Sequence, residues 1–451
     1  MPSKETSASF RNRYNATPEG PALKIRKFLC RGAIVCLTVC ASTVVLTAQS
    51  QRKIDFSKLV VVGDSLAAGV ENDSLADFQQ IHGFAKVIAR HVHTRLTLPL
   101  VPYPGAPNTL ELVSAQFPPV IKQVPGKLIF PRLNPFDKVT DLAVPLQTVA
   151  DALNRKPDNN LNSTDETQLA TDIVLGYPCP ILFPCQARSQ VEQAVALHPT
   201  AIIADIGNND ILGAITSGQL GSSLSSPQAL EAFLTSFGTS YATLLNTLAA
   251  THATLIVANL PDVTETPFFI PVSMLAEEAN VPLDELDVAL GTAATDFVTL
   301  DALPLVEAIL TNAQIGPLPA ACSSSGAPCV VTAAEAAVVR QVTIQMNAII
   351  QAQTAAHGAL LVDVFSLFDR LHANGYTIRK TTLTTDFLGG LFSLDGIHPT
   401  NTGYAILANE FIKDINAAFD THFNKANIAA IARFDPLVLQ DPSCRRWWRR
   451  R

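Results

Sequence analysis

Leu59-Val60-Val61-Val62-Gly63-Asp64-Ser65 is the stretch on which the fold turns. Its first four residues form a short unbroken apolar run, the pattern of a strand buried on both faces rather than one with a solvated side. The run ends on Gly-Asp-Ser, so a serine hydroxyl arrives at the C-terminal rim of a parallel sheet, where open α/β sheets keep their active sites. A helix beginning after Ser65 aims its unbonded N–H groups and positive dipole end at that hydroxyl, which favours negative charge developing there.

Three later runs repeat the pattern: Ala201-Ile202-Ile203-Ala204-Asp205, Leu255-Ile256-Val257-Ala258 and Ala359-Leu360-Leu361-Val362. Helical patterns separate them. One opens on Ser226-Pro227 and sets Leu230, Phe233, Leu234, Phe237, Tyr241, Leu244 and Leu248 on a single stripe. Another opens on Thr332 with Glu335 three residues on, a capping box, carries Val338, Val339, Val342, Met346 and Ile349, and stops near Gly358. Buried strands alternating with helices predict an α/β protein, a three-layer α/β/α sandwich around a central parallel sheet. Residues 100–185, rich in proline, and 270–330 break the alternation and are expected to be insertions around the rim of the sheet. No internal repeat and no break in composition asks for a second domain.

With 48% apolar and 16% charged residues in 451, the chain is globular and has the makings of a sizeable core. Its beginning differs: basic Lys24, Arg26, Lys27 and Arg31 precede an apolar run from Ala33 to Ala48, followed by Gln49-Ser50. At about 16 residues the run is shorter than the roughly 20 of a bilayer span, and the order is that of an export signal cleaved near Ser50, with an uncleaved anchor as the alternative. Residues 1–50 carry seven Lys/Arg and two Asp/Glu, so their loss takes the net charge from −7 to −12. So acidic a chain is a poor partner for nucleic acid. The division expected is a signal peptide over 1–50, one domain over 51–435 and a basic tail over 436–451. That tail ends Arg445-Arg446-Trp447-Trp448-Arg449-Arg450-Arg451 and either touches anionic lipid or polysaccharide or is a disordered appendage.

Cys30, Cys36 and Cys40 fall in the export segment. Cys179 with Cys185, and Cys322 with Cys329, close short Pro/Gly-bearing loops, which in an exported chain read as two local disulfides. Zinc is the rival reading, but neither pair has a histidine at ligand spacing, and Cys444 is left unpaired.

Two further clusters carry chemistry. Ile206-Gly207-Asn208-Asn209-Asp210 follows the second buried run, and an uncharged amide there can donate to an oxyanion without competing as a base. Ser393-Leu394-Asp395-Gly396-Ile397-His398-Pro399-Thr400 precedes a helical pattern through Tyr404, Leu407, Phe411, Ile412 and Ile415. Asp395 and His398, three residues apart on one turn, are spaced to meet the serine together, histidine as base and aspartate as its orienter. Each cluster alone is an ordinary turn; the three in this order form a set.

In these blocks the chain resembles the GDSL-type SGNH hydrolases, secreted esterases and lipases with GDS near the mature N-terminus, a glycine block, GxND, and DxxH near the C-terminus. The similarity covers roughly residues 58–420, and Asn259-Leu260-Pro261-Asp262 is similar to the strand-end block between GxND and DxxH. The resemblance implies a flavodoxin-like SGNH fold and a serine esterase or lipase working through an acyl-enzyme. It makes Ser65 the nucleophile and, through its own N–H, an oxyanion donor, Asn209 the side-chain oxyanion donor, His398 the base and Asp395 its partner.

The glycine block departs from the family pattern. Leu142-Ala143-Val144-Pro145-Leu146 looks like the family's LAVPG with leucine in the glycine position. Only a backbone N–H is required there, so Leu146 is taken as the third oxyanion donor, although a leucine side chain crowds the acyl pocket or resists a positive φ. The rival position is Gly105 in Pro104-Gly105-Ala106-Pro107. Lipid or short-chain acyl esters are the expected substrates, because Phe117, Ile129, Phe130 and Phe136 supply apolar rim surface. Extracellular polysaccharide O-acetylesterase, or a catalytically weak lipid- or carbohydrate-binding surface protein, are the alternatives. No metal or organic cofactor is implied. His91 and His93, at i and i+2 on an expected helix, face apart and are read with His82 as surface or structural residues.

Overall fold

The computed structural model describes residues 53–177, 186–216, 224, 226–311, 317–319, 322 and 328–438. The export segment, the Cys179 and Cys185 pair, Cys444 and the Arg/Trp tail lie outside the described residues. In chain order the strands are β1 (Leu59–Gly63), β2 (Leu110–Ser114), β3 (Val120–Gln123), β4 (Ala201–Asp205), β5 (Thr254–Ala258), β6 (Phe269–Pro271), β7 (Phe297–Thr299), β8 (Val330–Val331), β9 (Leu360–Val362) and a hairpin of β10 (Tyr376–Ile378) with β11 (Thr381–Leu383). The four apolar runs of the sequence are β1, β4, β5 and β9, and they form the central parallel sheet in that order. β1 and β4 are buried at every position, as unbroken apolar runs require when helices cover both faces.

One helical layer holds the Phe84–His91 and Asn401–Phe419 helices, with the Phe84 and Phe411 rings stacked 4.9 Å apart. The other holds Gln190–Ala196, Pro227–Ala249 and Ala333–Ala356. Ser226 caps the 227–249 helix, which buries Phe237, Tyr241, Leu244, Leu245 and Leu248; Leu230, Phe233 and Leu234 on its first turns are only partly covered. Thr332 and Glu335 make the expected capping box, but Val338 faces out, because the buried stripe runs through Ala336, Val339, Val342, Thr343 and Met346. His93 lies beyond the end of its helix at φ +58°, so it and His91 do not share one.

Much of the 100–185 region that looked like insertion belongs to the core. Residues 140–144 run alongside the free edge of β1, with Leu142 N–H donating to Val61 O at 3.0 Å and Val144 N–H to Gly63 O at 3.0 Å. Leu142, Ala143 and Val144 are fully buried there. This edge segment was hidden from a periodicity argument because it is short and ends on proline. The β2–β3 hairpin, by contrast, stands apart from the sheet. The 270–330 region has structure of its own: β6, β7 and β8 pair antiparallel and carry helices at Val272–Ala279, Leu283–Leu290 and Leu303–Thr311. Cys322 and Cys329 form the expected disulfide beside them.

Candidate active site

Sheet register assembles the rim. Gly63 pairs with Asp205, and Asp64 N–H donates to Asp205 O at 3.1 Å, so the turns leaving β1 and β4 rise side by side. Gly63 has to be glycine for want of room: a Cβ there would overlap Ala67 Cβ and the Asp205 carbonyl. Asp64 then caps a single helical turn, Ser65–Ala68, by accepting from Leu66 N–H at 3.2 Å. One turn is too short to build the dipole expected from a longer helix; what it offers is the first-turn N–H of Ser65 beside the hydroxyl.

The Asn208-Asn209-Asp210 run ties three segments together. Asn208 donates its backbone N–H (3.2 Å) and side-chain amide (3.0 Å) to Asp64 Oδ2. Asn209 Nδ2 donates to Gln147 O at 3.1 Å, which leaves one amide hydrogen for another acceptor. Asp210 accepts from Val149 N–H at 3.0 Å. Leu146 therefore stands next to Asn209, at φ +67° in a turn closed by Gln147 N–H to Val144 O. With Pro145 before it, this is a type II turn whose third position favours glycine. The rival Gly105 lies elsewhere, with Ser74, Ala76 and Pro107 around it.

Behind this edge a buried amide relay escaped the sequence reading. Gln190 pairs with both backbone groups of Gly63, accepting from N–H at 2.7 Å and donating to O at 3.0 Å, and donates to Gln147 Oε1 at 2.9 Å. A glutamine 127 residues from its partner carries no local signal.

The third cluster is a tight turn. His398 Nδ1 lies 3.1 Å from Asp395 Oδ2, and the backbone N–H groups of Ile397 and His398 donate to Asp395 Oδ1 at 2.7 and 2.8 Å. Among the described residues, the buried His398 Nε2 has no hydrogen-bond partner. Phe268 N–H donates to Gly396 O at 2.9 Å, so the segment before β6 lies against this turn.

The family model described as GDSL-like Lipase/Acylhydrolase matches residues 59–411. The chain belongs to that family. It is a carboxylic ester hydrolase. Similar solved structures include an α/β hydrolase enzyme from the metagenome of Lake Arreo, Spain (15% identity, 82% of this chain and 98% of that one, TM-score 0.35). An extracellular lipase from Streptomyces rimosus matches at 13% identity over 80% of this chain and 98% of its own, with TM-score 0.33. An acetyl-xylooligosaccharide esterase from a Geobacillus, as a mutant, matches at 12% over 83% and 100%, with TM-score 0.32. A search of curated proteins finds no match.

In this GDSL-family hydrolase the electrostatics of the two clusters differ. Burial works to raise the Asp395 pKa, but the His398 imidazole and the N–H donors of the turn outweigh it and hold it at about 2. Burial works to lower the His398 pKa; the Asp395 carboxylate, with Asp73 and Asp64 beyond, outweighs it and raises it. Asp64 is pushed up to about 6 by burial, against the hydrogen bonds from Asn208 and Leu66. The strand-end block Asn259–Asp262 serves the scaffold of the hydrolase: Asn259 joins Asp363 at 2.8 Å and Phe365 N–H at 2.9 Å, and Asp262 takes Arg340 at 2.7 Å. Among the described residues no group of His, Cys, Asp and Glu is arranged to hold a metal ion, and no helix is long and apolar enough to cross a membrane.

Proposed function

We propose that Ser65, Asp395 and His398 are the catalytic residues of an exported serine esterase or lipase, with an oxyanion hole made by the N–H groups of Ser65 and Leu146 and the amide of Asn209. In this mechanism Ser65 Oγ attacks the ester carbonyl while its proton passes to His398 Nε2. The tetrahedral oxyanion is held by the three donors. Collapse breaks the bond to the leaving alcohol, which takes the proton from His398 and departs, leaving an acyl-Ser65. Water then repeats the sequence and releases the acid, restoring the serine.

The observation that carries this reading is the state of His398: Nδ1 is engaged by the Asp395 carboxylate, whereas Nε2 is buried and has no hydrogen-bond partner among the described residues. That is the arrangement a base needs, since the bond at Nδ1 fixes the tautomer with Nε2 free to accept.

Lipid or short-chain acyl esters are the substrates we favour. Tyr103, Ile129, Phe130, Leu133 and Phe136 present exposed apolar surface, although Phe117 packs against the core instead of joining them. One observation favours the second reading, an O-acetylesterase of extracellular polysaccharide: Leu146, 43% exposed, sets a branched side chain beside Asn209 where the family pattern has glycine, which suits a small acyl group better than a long one. Secretion after cleavage near Ser50, with a domain over 51–435, fits the basic-then-apolar N-terminus and is supported by the Cys322–Cys329 disulfide. Contact of the 436–451 tail with a membrane or cell surface is part of the same proposal.

Native protein should cleave p-nitrophenyl acetate and longer p-nitrophenyl esters, and Ser65→Ala should cleave none of them. A chain-length series on the active protein separates lipase from acetylesterase. Equal inertness of both proteins would favour the catalytically weak surface-binding alternative.

A further inference from the structure

Seven residues after Ser65 the chain makes a turn that the chemistry described so far does not use. Glu71 and Ser74 exchange both backbone hydrogen bonds, each 3.2 Å, across Asn72 at φ +54° and Asp73 at φ +57°. Two successive positive φ values define a type I′ turn, for which Asn and Asp are among the few suitable residues other than glycine. Such turns normally close a hairpin, but here Glu71 and Ser74 form an isolated bridge, and the next residue, Leu75, bridges to Ala106 instead.

What the turn does instead is grip the Ser393–His398 segment. Asn72 N–H donates to Ser393 Oγ at 2.9 Å, Asn72 Oδ1 accepts from Leu394 N–H at 3.0 Å, and Asp73 N–H donates to Asp395 Oδ2 at 2.6 Å. Ser393 Oγ–H in turn donates a hydrogen bond to Asp395 Oδ2 at 2.9 Å. Oδ2 is the oxygen that faces His398 Nδ1, so of the three groups around it, one is the base, one is Asp73 and one is the hydroxyl that Asn72 holds. The turn is itself anchored on both sides: Tyr404 Oη donates to Val70 O at 2.5 Å, and Leu110 N–H donates to Asn72 O at 3.0 Å.

We propose that the Asn72–Asp73 turn is a positioning element for the acid–base pair, fixing the Asp395 carboxylate and through it the His398 ring. The inference rests on the reading of Ser65, Asp395 and His398 as catalytic. A carboxylate held only by Ile397 and His398 N–H on Oδ1 can still pivot about that edge; the bonds from Asp73 and Ser393 stop the pivot and keep Oδ2 opposite Nδ1. The same stretch of chain that bears the nucleophile thus supports the base from across the fold.

Asn72→Gly isolates the effect. Glycine accepts the positive φ and keeps both backbone groups, so only the bond from Leu394 N–H is lost. The expected result is a fall in kcat of about tenfold, the worth of one part-buried hydrogen bond, with KM unchanged. The charged groups facing His398 are Asp395, Asp73 and Asp64, and those facing Asp73 are Asp395, His398, Glu166 and Asp301. Asn72→Gly frees the N–H of Leu394, the residue before Asp395, so the carboxylate is loosened through its own segment; a looser carboxylate stabilises imidazolium less, and the acid limb of kcat/KM moves to lower pH. Ser393→Ala, which removes a donor to Oδ2 directly, should act in the same direction, and the double variant should lose less than the product of the two single losses, because both loosen the same Ser393–Asp395 segment.

If Asn72→Gly lost activity only in proportion to the sites still titrated by a phosphonate inhibitor, with its acid limb unmoved, the turn would be a folding element and the proposal would be overturned. Strict multiplicativity in the double variant would also overturn it. Ser65→Ala, run alongside, must be inert; activity there would sink the hydrolase assignment itself rather than the role of the turn.

Discussion

A leucine held at φ +67° occupies backbone space that costs an L side chain about 1–2 kcal/mol and glycine almost nothing. Leu146 is also 43% exposed, so little burial offsets the strain. Leu146→Gly is expected to keep or raise the midpoint of thermal unfolding, and to raise kcat/KM for long-chain esters more than for acetate. Leu146→Val, β-branched where such residues are outliers, should lower stability by about 1 kcal/mol or more. At His398 the sign is equally definite. Its pKa is raised in the folded protein, and the base works only when neutral, so kcat/KM should fall as pH drops through a midpoint above the free imidazole value of about 6.5. Asp395→Asn swaps an acceptor of several donors for an amide that cannot serve them all, and should lower kcat by on the order of 10²–10⁴-fold. The strand-end places of Ser65 and Asn209 and the contact of Asp395 with His398 were legible because each sits in a short local motif. Gln190, Asn208 and Asn72 were not, because what they do depends on partners 127, 144 and 321 residues away.

At the scale of elements, strand β1 shows how the site is supported. Its outer edge is closed by the 140–144 segment, whose Val144 N–H reaches Gly63 O, and by the Gln190 amide, which bonds both backbone groups of Gly63. Gln190→Leu keeps the volume but strands the Gly63 N–H and Gln147 Oε1 in a dry interior, while Gln147 Nε2 keeps its bond to Thr171. A loss of about 1–3 kcal/mol in denaturant unfolding is expected, together with lower kcat, because Gln147 also fixes Asn209. A variant as stable and as active as the parent would show the relay to be incidental. The four strands of the central sheet and both long helices could be read from the sequence because apolar runs and capping boxes are local signals. The 140–144 edge could not, since it is held by β1 rather than by its own periodicity, and the β6–β8 sheet could not, since strands of two or three residues carry no period.

The molecule as a whole buries an unusual amount of acid around this rim. Burial raises Asp64 to about 6 and Asp141 to about 7, and raises Glu71 and Asp205 well above the ordinary carboxylate range. Such groups hold protons in the folded state that the unfolded chain releases near pH 4, so their contribution is fully present below about pH 4 and is lost as pH rises through the folded values. His398, also raised, adds to the same trend, whereas Asp395, held at about 2, contributes stability only above about pH 4 and opposes it below. The unfolding temperature should therefore be higher at about pH 5 than at about pH 8, over the span in which activity rises. Stability that climbed between those two conditions would contradict the burial of these carboxyls.

The central claim is that Ser65 becomes acylated, and mass mapping of the protein after reaction with a p-nitrophenyl phosphonate tests it most directly. A single adduct on the peptide containing Ser65, formed in step with the loss of ester hydrolysis and absent when His398 is replaced by alanine, is the result predicted. An adduct on another serine, or full hydrolysis by protein whose Ser65 is already modified, would contradict it.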